Sequence, residues 1–89
     1  SLAIDAALTA EWLTGFLREE FARRGRTRAV LGLSGGLDSA VVAALAARAL
    51  GPDQVLAVRL PYRTSSTESL DHAQLVIDTL GLASRTLDI

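Results

Sequence analysis

Apolar positions along this 89-residue chain change period several times, and each change marks an element. Between Asp5 and Arg24, Leu8, Trp12, Leu13, Phe16, Leu17 and Phe21 recur at helical spacing and form one wide apolar face, which Gly25 ends. Three of the four aromatic residues lie on that face, so it is expected to dock on a sheet or on another subunit. Ala29 to Leu33 is a nearly unbroken apolar run, the pattern of a parallel strand buried on both faces. Val41 to Leu50 is alanine-rich, which suits a tightly packed helix, and Gly51 and Pro52 close it. Gln54 to Leu60 reads as a second strand around Val55, Leu56, Ala57 and Val58. Pro61 ends that strand and starts a loop, Tyr62 to Ser65. A third helix opens with the capping box Ser65-x-x-Glu68, is patterned by Leu70, Ala73, Ile77 and Leu80, and stops at Gly81. Ser84 to Ile89 reads as a third strand.

The resulting order, α-β-α-β-α-β, is that of an α/β protein: half of a doubly wound, Rossmann-like parallel sheet with right-handed crossovers. Ligands of such sheets sit outside the carboxyl ends of the strands, so Ser34 to Ser39 and Leu60 to Ser66 should face one crevice. The length suits at most one small domain.

The first of these loops, Ser34-Gly35-Gly36-Leu37-Asp38-Ser39, carries the chemistry. Gly35 and Gly36 lack a Cβ, so the backbone there can take positive φ, approach a ligand closely and turn successive N–H groups into one concavity. Asp38 and Ser39 open a helix whose first N–H groups lack intrahelical partners and whose dipole favours an anion. Ser34 and Ser39 add hydroxyl donors. Asp38 would repel a phosphate unless a divalent cation stood between them, which assigns Asp38 to Mg2+. The bland alternative is an ordinary strand-to-helix turn with Asp38 as its N-cap. A P-loop is excluded, because the chain has no lysine. A G-x-G-x-x-G dinucleotide turn is excluded because Ser34 stands where the second glycine would follow Gly32.

The six residues from Ser34 to Ser39 resemble the S-G-G-x-D-S signature of the N-type ATP pyrophosphatases. About twenty residues later, Arg59-Leu60-Pro61-Tyr62-Arg63-Thr64-Ser65-Ser66 and the acidic helix after it narrow the resemblance to the NAD synthetases, as does the helix before the first strand. The resemblance spans essentially the whole chain and implies the N-terminal third or so of a single synthetase domain of adenine nucleotide alpha hydrolase-like fold, residues 1–89. It implies ATP and pyrophosphate contacts at Ser34, Gly35, Gly36, Leu37, Asp38, Ser39, Arg59 and Ser65, with Mg2+ on Asp38 and no catalytic residue singled out. The implied reaction adenylates the carboxylate of deamido-NAD with ATP, releases pyrophosphate, and lets ammonia, free or glutamine-derived, displace AMP. A homodimer is implied as well. GMP synthetase, asparagine synthetase and a tRNA thiolase would use the same turn, and a non-catalytic nucleotide-binding module would keep the half-sheet.

Composition narrows the rest. Hydrophobic residues make up 49% and charged residues 21%, with a net charge of -1, so the chain is globular material with no overall electrostatic case for nucleic acid. The absence of cysteine removes disulfides, thiol catalysis and zinc-thiolate sites. No apolar run reaches the ~18 residues of a membrane span and no signal peptide opens the chain, so a cytoplasmic location is expected. Arg23, Arg24, Arg26 and Arg28 crowd the end of the first helix, at the sheet end opposite the glycine turn, where they read as solvated cations near a helix C-terminus. His72, off the apolar stripe of the third helix, reads as a surface histidine. Tyr62 is divided between packing and ligand contact.

Overall fold

Three helices and three strands alternate along the chain in the computed structural model, which describes residues 2–59 and 67–87. Helix α1 spans Leu2–Arg23, strand β1 Ala29–Leu33, helix α2 Leu37–Leu50, strand β2 Val55–Arg59, helix α3 Thr67–Leu80 and strand β3 Ala83–Thr86. A single 3-10 turn, Pro52–Gln54, joins α2 to β2, so Gln54 belongs to that turn and not to the strand. The capping box at Ser65, the loop Tyr62 to Ser65 and the ends at Leu60 and Ile89 lie outside the described residues. Positive φ at Gly25, Gly51 and Gly81 coincides with the three helix stops expected from the sequence.

The sheet is parallel throughout and ordered β1-β2-β3. Ala29 pairs with Val55 and Leu33 with Arg59; Leu56 pairs with Ala83 and Arg59 with Thr86. The two crossovers step in one direction across the sheet, and both connecting helices pack on one face of it. Leu33, Val55 and Ala57 point to that face and share a core with Ala43, Ala46 and Ala47 of α2, with Ala73 and Ile77 of α3, and with Leu82. Small side chains on α2 bring its axis close to the strands. Leu33 and Val55 are the largest fully buried residues, each worth about 1.5–3 kcal/mol of transfer free energy. Because Leu33 immediately precedes Ser34, its burial pins the root of the glycine turn.

Two expectations about burial need correcting. β1 is not buried on both faces: Val30 is 70% exposed, because α2 and α3 both cover the opposite side of the sheet. The wide face of α1 is in fact two stripes. Leu13, Leu17 and Phe21 are half-buried, whereas Leu8, Trp12 and Phe16 are exposed, with the Trp12 and Phe16 rings stacked 5.4 Å apart. α1 packs on α2. Arg18 locks that contact by donating from Nε to the Ala49 carbonyl at 3.3 Å and from Nη2 to the Arg48 carbonyl at 3.4 Å, at the negative end of the α2 dipole. Among the described residues, no helix is long and apolar enough to cross a membrane.

Candidate functional site

The turn between β1 and α2 is built from its glycines outward. Gly35 takes φ +85, a conformation that L side chains rarely adopt, and so swings the chain from the strand into the helix. Gly36 is different: at φ -82 and ψ 163 it has ordinary extended geometry and serves as the N-cap of α2, with no side chain capping in its place. An added Cβ at Gly36 would meet Ser34 Oγ at 3.5 Å, an ordinary contact. Of the two glycines in this turn, then, Gly35 alone requires glycine for its backbone; at Gly36 the expected freedom to take positive φ is not used.

Helix α2 begins at Leu37, one residue before the expected start. Asp38 therefore lies inside the first helical turn, and the alternative of Asp38 as N-cap is corrected, the cap being Gly36. The N–H groups of Leu37, Asp38 and Ser39 have no intrahelical acceptor and mark the positive end of the dipole. The Leu37 side chain is 79% exposed, so what it offers a ligand is its backbone N–H.

Ser34 and Ser39 tie the turn together. Ser39 Oγ donates to the Gly36 carbonyl at 3.0 Å, which leaves its oxygen to accept from the Ser34 N–H at 3.4 Å. The two hydroxyl oxygens lie 3.3 Å apart, and the Gly36 N–H donates to Ser34 Oγ at 3.4 Å. Most of these bonds sit at the long end of the usual range, so the hydroxyls and the Gly36 N–H are only weakly engaged within the turn. Asp38 is exposed at the rim of this cradle. Among the described residues no cluster of three or more His, Cys, Asp or Glu side chains could hold a metal. Asp38 would thus supply a single carboxylate, a set that suits Mg2+ only when phosphate oxygens and water complete the shell.

The strand register brings a second residue to the same edge. Leu33 pairs with Arg59, which places the end of β2 beside the root of the turn, and Thr86 completes the row on β3. Arg59 donates from Nε and Nη2 to Thr86 Oγ1 and from Nη1 to Gln74 Oε1. Sequence reasoning missed Gln74 and Thr86: no periodicity distinguishes Gln74, and Thr86 is identified only once the register is known. Ser65, the remaining expected contact, lies outside the described residues, as does Tyr62. His72 is exposed on α3, in keeping with a surface role. Glu20 pairs with Arg23 at 3.2 Å and Arg24 at 3.5 Å, which agrees with a solvated cluster at the end of α1.

Residues 9–89 match the model of the NAD synthase family. The NH(3)-dependent NAD(+) synthetase of Chlorobaculum parvum is 52% identical over 88 residues, which is 99% of this chain and 32% of that protein. Among solved structures, the NH3-dependent NAD synthetase of Campylobacter jejuni, in complex with the nitrate ion, superposes with a TM-score of 0.81 at 35% identity, over 90% of this chain and 34% of that one. The glutamine-dependent NAD+ synthetase of Acinetobacter baumannii, in complex with ADP, gives a TM-score of 0.79 at 35% identity, over 83% of this chain and 14% of that one. The chain spans about a third of the length of the curated relatives it matches.

Proposed function

The chain belongs to the NAD synthase family, and on that footing we propose that it supplies the ATP-handling part of an enzyme that amidates deamido-NAD to NAD. ATP adenylates the substrate carboxylate, pyrophosphate leaves, and ammonia, free or glutamine-derived, displaces AMP. The observation that carries this reading is the turn from Ser34 to Ser39 at the carboxyl end of β1, where positive φ at Gly35, two serine hydroxyls and the amino end of α2 converge.

Each residue has a part in that scheme. The N–H groups of Gly36, Leu37, Asp38 and Ser39 and the hydroxyls of Ser34 and Ser39 hold the pyrophosphate portion, taking up charge that builds on the leaving oxygens. Gly35 shapes the cradle. Arg59 brings a fixed cation to the same edge, and Ser65 completes the ATP contacts. Asp38 would hold Mg2+, which when bound neutralises charge on the departing pyrophosphate. Deamido-NAD would be held mainly by residues outside this loop.

A homodimer and a cytoplasmic location are parts of the same proposal. The exposed stripe of Leu8, Trp12 and Phe16 on α1 supports a second copy as its neighbour. The test is NAD and AMP formation by the full-length protein supplied with deamido-NAD, ATP, Mg2+ and ammonia. AMP and NAD in equal amounts are expected. A protein that binds ATP without forming AMP would be a nucleotide-binding module and would overturn the proposal.

A further inference from the structure

Arg59 is held by side chains from two other elements. Its Nε and Nη2 both donate to Thr86 Oγ1 on β3, at 3.2 and 2.9 Å, while Nη1 donates to Gln74 Oε1 on α3 at 2.7 Å. Gln74 is itself oriented, because its Nε2 donates to Asp78 Oδ1 at 2.9 Å, one turn further along α3. An amide has one accepting end and one donating end, so the contact with Asp78 turns the Gln74 oxygen toward Arg59.

A guanidinium carries five N–H donors. Among the described residues three of those on Arg59 are engaged, which leaves one on each terminal nitrogen. The carboxylate of Asp78 reaches Arg59 only through the neutral amide of Gln74. A direct ion pair would have offset the positive charge that Arg59 can offer an anion, whereas the interposed amide fixes its orientation and leaves the charge in place.

We propose that Gln74 and Thr86 are positioning residues for Arg59, holding its guanidinium at the carboxyl edge of the sheet so that its two remaining N–H groups meet the bound nucleotide. The proposal rests on the reading above in which Arg59 contacts ATP. The benefit is entropic: a long side chain frozen on folding has no rotamer freedom left to lose when the ligand arrives. Arg59, Gln74, Asp78 and Thr86 come from β2, α3 and β3, so the clamp forms only when the sheet edge and α3 are both in place.

Thr86→Val removes the hydroxyl at nearly constant shape, Thr86→Ser keeps it, and Gln74→Met removes the amide without touching strand pairing. Each is made in a full-length synthetase bearing this segment, and steady-state NAD formation is followed against ATP and against deamido-NAD. Thr86→Val and Gln74→Met are expected to raise KM for ATP by about five- to tenfold, with kcat within about twofold of the unsubstituted enzyme. KM for deamido-NAD should not move, and Thr86→Ser should restore the ATP value. An unchanged KM for ATP in Gln74→Met, whatever happens to thermal stability, makes the clamp purely architectural and overturns the proposal. Gln74→Met also keeps the test open if Thr86→Val does not fold. Absence of NAD formation by the unsubstituted enzyme would instead overturn the function on which the clamp rests.

Discussion

Replacing Gly36 with alanine separates the demands of folding from those of ligand binding. At φ -82 and ψ 163 alanine meets no backbone strain, and its methyl group finds Ser34 Oγ at 3.5 Å, which is ordinary contact. Restricting the unfolded chain stabilises the protein by about 0.4–1 kcal/mol, and the preference of an N-cap for glycine over alanine takes back a similar amount. The net change in stability should stay within about 0.5 kcal/mol, or roughly 2 °C in the melting temperature of a domain of 150–250 residues. Binding is another matter. The methyl group would stand beside Ser34 Oγ, where the Gly36 N–H and the serine hydroxyls are proposed to meet phosphate oxygens, and a forced displacement there costs about 3 kcal/mol, or about a hundredfold in affinity. Gly35→Ala should show the reverse balance, since φ +85 costs an L residue about 1–2 kcal/mol before any ligand is added. Calorimetric titration of the folded full-length Gly36→Ala enzyme with pyrophosphate, alongside a thermal melt, decides the matter. Pyrophosphate affinity equal to that of the unsubstituted enzyme would refute the cradle, and a large loss of stability in Gly36→Ala with none in Gly35→Ala would refute the backbone geometry.

Asp38→Asn in the full-length enzyme should lower turnover at limiting Mg2+ by about tenfold or more, while stability changes by no more than about 1 kcal/mol, the worth of an exposed charge at a helix start. Turnover that does not respond to the substitution removes the metal assignment. Ala57→Leu should destabilise the protein by about 1–3 kcal/mol in a denaturant titration, because Ala57 on β2 is fully buried beneath the helices and they must lift to admit the larger side chain. A neutral result would mean that the spacing of helix and sheet is adjustable. The 89 residues by themselves should form no NAD, since three strands supply only part of a crevice; steady product from that polypeptide refutes this.

The elements were legible in the sequence because each rested on a local signal. Alanine at Ala43, Ala46 and Ala47 announced close helix packing, and the stops at Gly25, Gly51 and Gly81 all fall at positive φ. What stayed hidden depended on long-range geometry. Val30 looks as apolar as Leu31, and only the common side of α2 and α3 decides that Val30 is exposed. The two glycines of the turn are indistinguishable as letters, yet one is bent and the other extended. Arg59 could be read as a cation near the loop, but its partners Gln74 and Thr86 are 15 and 27 residues away, and no spacing rule reaches them. Periodicity presents the apolar face of α1 as one surface, because it records which residues are apolar and not how much of a helix its neighbour can cover.

The strands lie side by side in the order in which they are synthesised, β1, then β2, then β3. Each new strand meets its partner across a single helix, so during translation the sheet can grow outward from its first strand without waiting for distant chain and without threading. β1 and β2 can close over α2 while α3 is still being made. The face that carries Val30 is covered by neither α2 nor α3, so that growth leaves an apolar surface beside an open strand edge, a place for mispairing when synthesis stalls.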